Sequence, residues 1–84
     1  MAPYRVVVDA DVTTLVALLS ETEQEHVLDV ALALSRNPHD HGDVWMTAGT
    51  RVWRVLNIGR ARLAFVVDDA ARSVALVCLT TART

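Results

Sequence analysis

Apolar and polar positions change period twice along the chain. Val6-Val7-Val8, flanked by Tyr4-Arg5 and Asp9, is a β-branched run that predicts a strand over Tyr4–Asp9. From Val12 the apolar positions take helical spacing. Val12, Leu15, Leu18 and Leu19 share one face of a short helix that Asp11 can cap. Ser20 and Glu23 then stand at capping-box spacing, where hydroxyl and carboxylate each satisfy an orphan backbone donor. The second helix carries Val27, Val30, Ala31 and Leu34 on its apolar face and runs to Arg36, before Pro38 stops it. With almost no linker at Ser20, the pair predicts an αα-hairpin.

Asn37 to Gly42 reads as a loop, after which the period becomes that of strands. These are predicted at Val44–Thr47, Arg51–Leu56, Arg60–Val67 and Ser73–Leu79, with turns at Asn57-Ile58-Gly59 and over 68–72. The fold class is therefore α+β, one domain over residues 1–84 in which β-α-α precedes a twisted antiparallel sheet of three to four strands. If Leu56 pairs with Arg60 across the first turn, Arg54 faces Arg62 and Trp53 faces Leu63. Alternation then sends Trp53, Val55, Leu63, Phe65 and Val67 toward the helices and leaves Arg54, Arg60 and Arg62 on the open face. Like charges directly opposed destabilise a sheet unless an anion lies between them, and a phosphate accepts bidentate bonds from two guanidiniums. Twist and solvent, or neutralisation by Asp68 or Asp69, would relieve the same repulsion without a ligand.

Composition sharpens this picture in two respects. The chain is 52% hydrophobic, which excludes a disordered tail and leaves apolar surface for a homodimer or a partner to cover. Net charge is −2, yet residues 1–44 hold eight acids against two arginines while residues 45–84 hold two acids against six arginines. The sheet half can thus attract an anion although the whole is acidic. All eight basic residues are arginine and there is no lysine, which fits a GC-rich genome and says little of function. No apolar run approaches the roughly 20 residues of a membrane span. The N-terminus lacks signal-peptide character, and one cysteine, Cys78, cannot form an internal disulfide, so a cytoplasmic location is expected. Cys78 itself reads as core, in an apolar strand.

Other constellations carry less. His39-Asp40-His41-Gly42-Asp43 offers metal-ligand types, but residues in one loop rarely converge alone, so the reading is a solvated loop, with no metal and no cofactor. Asp9 and Asp11 after the first strand resemble the opening of PIN-type nucleases, which need further carboxylates from later parallel strands, and the second half has none apart from the turn pair Asp68-Asp69; helix capping explains Asp9 and Asp11 more simply. Glu21, Glu25 and Asp29 make an acidic i,i+4 stripe, a solvated face or a dock for a basic segment. His26 reads as surface. Trp45 has no evident place in the core.

In order, these elements resemble the RelE/ParE superfamily of toxin–antitoxin toxins. The resemblance runs through Tyr4-Arg5-Val6-Val7, the helix end Ala33-Leu34-Ser35-Arg36-Asn37-Pro38-His39, Gly49, Val52-Trp53-Arg54-Val55, Arg60 to Asp69, and Val74 to Leu79. It implies a compact toxin held inactive by a cognate antitoxin, acting on the ribosome by cleaving mRNA or, in ParE-type members, on gyrase. By motif position it gives Arg54 and Arg62, with Arg83 after a one-residue shift, the role of stabilising a phosphoryl transition state. Arg51, Arg54, Arg60 and Arg62 would bind the nucleic acid. The chain departs from the ribonuclease pattern at Thr80-Thr81-Ala82-Arg83-Thr84. Threonine stands there in place of a titratable residue and no tyrosine follows, so the usual acid–base group is missing. A catalytically silent protein-binding module of the same fold is the alternative.

Overall fold

The computed structural model describes residues 3–81. Strand β1 (Arg5–Val8) leads into α1 (Ala10–Val16) and α2 (Glu21–Arg36), then a short 3-10 turn over Pro38–Asp40, and strands β2 (Asp43–Ala48), β3 (Arg51–Ile58), β4 (Ala61–Asp68) and β5 (Ser73–Thr81). The five strands form one sheet in the order β1-β5-β4-β3-β2. The α+β order is as anticipated, with one more strand, because β1 joins the sheet at its edge and pairs parallel to β5. A parallel pair needs a long crossover, so no local turn signal announces it.

Local chemistry sets the helices. Asp9, rather than Asp11, caps α1, its carboxylate accepting the Asp11 N–H at 3.0 Å. Ser20 and Glu23 close the anticipated capping box, with the Glu23 N–H donating to Ser20 Oγ and Glu23 Oε1 accepting from the Ser20 N–H. The core lies between the helices and one face of the sheet. Val12, Val27 and Leu34 pack with Ile58, Leu63, Phe65, Val67, Val74, Leu76 and Leu79. Leu15 and Leu18 were expected to face inward with Val12. Instead α1 ends at Val16 and the chain turns, so Val16 and Leu19 pack on the core while Leu18 stays 78% exposed.

The β3–β4 hairpin closes more tightly than its sequence suggested. Ile58 pairs with Ala61 around a turn of Gly59 and Arg60, with Gly59 at φ +59°, where a side chain would be strained. The ladder therefore runs Asn57–Arg62, Leu56–Leu63, Val55–Ala64 and Arg54–Phe65. Relative to a Leu56–Arg60 pairing this is a slip of an odd number of residues, and an odd slip exchanges the two faces of β3. Leu63, Phe65 and Val67 do face the helices, but their β3 companions there are Val52, Arg54, Leu56 and Ile58, and Trp53 and Val55 lie on the open face.

Cys78 also departs from its reading as core. The β4–β5 register shifts between Ala64 and Phe65, so Val77 is inserted opposite no partner and Cys78 pairs with Ala64 on the open face, exposed.

Candidate functional site

Arg54 and Arg62 do not converge. Arg54 projects with Phe65 on the helix side, half-buried, where its Nε donates to the His41 carbonyl at 2.8 Å and its Nη2 to the Gly42 carbonyl at 2.9 Å. This fork holds the loop before β2 against the sheet. The loop approaches closely because Gly42 has no side chain, since a Cβ there would lie 2.5 Å from the Val55 carbonyl oxygen. Arg54 is thus a latch of the fold.

Arg62 stands on the open face, exposed, with its Nε donating to Asn57 Oδ1 at 3.3 Å. Arg60 is exposed at the tip of the turn beside it. Arg51, at the far end of β3, lies 3.5 Å from Asp68, with which it pairs in the ladder. Asp68 is held below its usual value chiefly by the Ala71 N–H, against some opposing loss of solvation, with Thr50 and Arg51 adding to the lowering. Asp68 and Asp69 therefore neutralise neither Arg54 nor Arg62. Arg83 lies outside the described residues, as does Ala82.

Around Arg62 the open face forms a hollow of about 250 Å³ lined by Asp43, Val44, Trp45, Val55, Asn57 and Arg62. A register shift between Val44 and Met46 inserts Trp45 as the bulged residue, and its side chain is 67% exposed. The hollow carries one cation and one carboxylate. It can stabilise negative charge at Arg62, but the described residues supply no histidine there to move a proton.

A second polar cluster, absent from the sequence reading, lies where β1, the end of α2 and the β4–β5 turn meet. Asp69 Oδ1 accepts the Tyr4 hydroxyl at 2.6 Å and meets His39 Nε2 at 2.8 Å. The Arg72 guanidinium lies 4.5 Å from the centroid of the Tyr4 ring. The Tyr4 and His39 contacts hold the Asp69 carboxyl below its usual range, and the hydrogen bond to Asp69 raises Tyr4. Sixty-five residues separate Tyr4 from Asp69, so no motif spacing could have disclosed the cluster. His39 was read as part of a solvated loop with metal-ligand types. It turns to Asp69, and among the described residues no three His, Cys, Asp or Glu side chains gather as a metal site.

A helical hairpin covering one face of a five-stranded mixed sheet, with arginine and tryptophan on the other, defines a RelE-like fold. A chain of the archaeal RelE–RelB complex from Pyrococcus horikoshii superposes with a TM-score of 0.88 at 16% identity, over 96% of each chain. A chain of the RelBE2 toxin–antitoxin complex of Mycobacterium tuberculosis superposes at 0.75 and 21% identity, over 95% of this chain and 99% of that one. No family model and no curated protein sequence matches the chain.

Proposed function

We propose that this protein is the toxin component of a toxin–antitoxin pair, of RelE-like type, that binds mRNA on the ribosome through its open sheet face in the cytoplasm. The observation that carries the reading is the helical face left uncovered in a RelE-like fold. Leu28 and Leu32 of α2 are exposed, and with Val6, Ala31 and Ser35 they line an apolar groove beside the edge strand β1. Of the two structural neighbours described, one comes from a RelE–RelB complex and the other from a complex named as toxin–antitoxin. An antitoxin segment laid on that groove would remove apolar surface from water, the main gain available to such an interface.

On the open face, Arg62 with Arg60 supplies the phosphate contacts. mRNA cleavage would then draw on Arg62 for charge stabilisation, with Arg83 as a further cation, and needs a proton acceptor from the ribosome or the RNA itself. The position of Arg54 favours a second reading, a silent protein-binding module, because one of the two arginines assigned to the chemistry is fixed to loop carbonyls on the other face.

Expression without the antitoxin tests both. Growth arrest with truncated ribosomal mRNA, relieved by Arg62→Ala in a protein that still folds, supports the toxin. Harmless expression with intact mRNA supports the binding module. Leu28→Asp with Leu32→Asp should abolish neutralisation by the antitoxin while leaving arrest in place.

A further inference from the structure

We propose that the protein forms a symmetric homodimer through its edge strand β2, which pairs antiparallel with β2 of a second copy. The proposal stands on the edge itself and does not depend on the toxin reading.

An edge strand presents a row of N–H and C=O groups to any other strand, and proteins that stay monomeric guard such edges with charge, proline or a covering segment. All six residues of β2 are exposed. Its one charge, Asp43, sits at its start, and it has no proline. Val44, Trp45 and Met46 are large apolar side chains in succession on the surface. A bulge is the remaining common guard, because it breaks the pairing pattern. Here it has the opposite effect.

Turned end to end on itself, the strand pairs residue 43 with 48, 44 with 47 and 45 with 46. Each pair joins an odd to an even position, so in a regular strand its members would face opposite sides of the sheet. The shift between Val44 and Met46 removes that conflict. Asp43, Met46 and Ala48 pair with Val55, Trp53 and Arg51 and lie on the open face, where Trp45 also lines the hollow with Val55. Val44 and Thr47 pair with Arg54 and Val52 and lie on the other side. Self-pairing therefore sets Asp43 with Ala48, Val44 with Thr47 and Trp45 with Met46, each pair on one face. A slip of one residue in either direction sets Val44 against Met46 or Ala48, on opposite faces, so the register is fixed.

The contacts made in that register are favourable. Around the two-fold axis, Trp45 and Met46 of both copies form one apolar cluster of rings and thioethers. Asp43 of the second copy lies across Ala48 from Arg51, which pairs with Ala48 and is 62% exposed. Two strand spacings, roughly 10 Å, separate those backbones, a gap that a long guanidinium chain and a short carboxylate close over a methyl group. Symmetry makes this contact twice and keeps the two Asp43 carboxylates at opposite ends. Strand β1 and its groove lie at the other edge of the sheet, so an antitoxin and a second copy would not compete.

Sedimentation equilibrium of the full chain over a concentration series tests this, with amide hydrogen exchange measured in parallel. The mass should rise to twice that of the chain, and exchange should slow across residues 43–48 as it does. Trp45→Lys should weaken association at least about tenfold. Asp43→Arg and Arg51→Asp should each weaken it too, whereas an equimolar mixture of the two should dimerise at wild-type strength. Each mixed dimer restores two contacts of opposite charge. The wild-type exchange pattern needs no variant to fold. A monomer at every concentration up to about 1 mM overturns the dimer. So does a dimer whose slowed amides lie on α2 or β1, or a mixture that associates no better than its components. Dimerisation of a protein that is harmless on expression keeps the interface and removes the toxin reading.

Discussion

Asp69 Oδ1 accepts the Tyr4 hydroxyl at 2.6 Å, tying the first strand to the last turn of the sheet. The Tyr4 backbone makes the same junction on its other side. Its N–H donates to the Ser35 carbonyl at 2.8 Å and its carbonyl accepts the Ser35 hydroxyl at 3.0 Å. The edge strand β1 is thereby held at both the turn and the end of α2, and that edge borders the groove assigned to the antitoxin.

The clasp should make stability depend on pH at both extremes. Asp69 is lowered in the folded state, so its contribution is present above the ordinary carboxylate value of 3.8 and is lost as pH falls through the lower folded value. Tyr4 is raised from 10.0, so its contribution is present below that value and is lost as pH rises through the higher folded one. Thermal melts between pH 2 and 11 should show both declines. Tyr4→Phe should flatten the alkaline one at a cost of about 1 kcal/mol near neutrality.

Arg54→Ala should behave as a fold mutation. Losing both bonds to the loop carbonyls should destabilise by about 1–3 kcal/mol in urea unfolding, since each joins a charged donor to a backbone acceptor. Arg54→Lys should recover part of this but cannot make the forked contact.

Gly42→Ala should cost more than surface substitutions do, by about 2 kcal/mol or more, because φ is +71° and the new Cβ meets backbone at 2.5 Å. Gly49→Ala, at φ +59° with open space around the missing Cβ, should cost only the backbone strain, about 1 kcal/mol. Comparing the two denaturation midpoints separates steric approach from conformation.

Phe65→Ala should destabilise by about 3–5 kcal/mol, as a fully buried ring at the centre of β4. Ser20→Ala, which opens the capping box, should cost about 1 kcal/mol. Both are read from chemical denaturation.

The chain's local signals carried as far as its local interactions do. Helical spacing, the Ser20–Glu23 box and the stop at Pro38 involve partners a few residues apart, so both helices and the order of the elements could be read from the sequence. Strand existence was readable too, because β-branched runs mark pleated backbone whatever they pair with. Register was not. Whether Gly59 sits inside a two-residue turn or at the end of a longer one changes the pairing by an odd number, and every β3 side chain then moves to the other face. That geometry placed Arg54 on the helix side of the sheet and Trp53 in the open, although alternation along β3 and β4 was read correctly; in β2 and β5 a bulge at Trp45 and at Val77 broke it. The Tyr4–Asp69–His39 clasp and the parallel β1–β5 pairing belong wholly to tertiary structure. Their partners lie far apart in the chain, and hydrogen bonds across such separations leave no periodicity in sequence. A chain's own spacing specifies what each segment is; only the packed sheet decides which side chains share a face, and so which of them can act together.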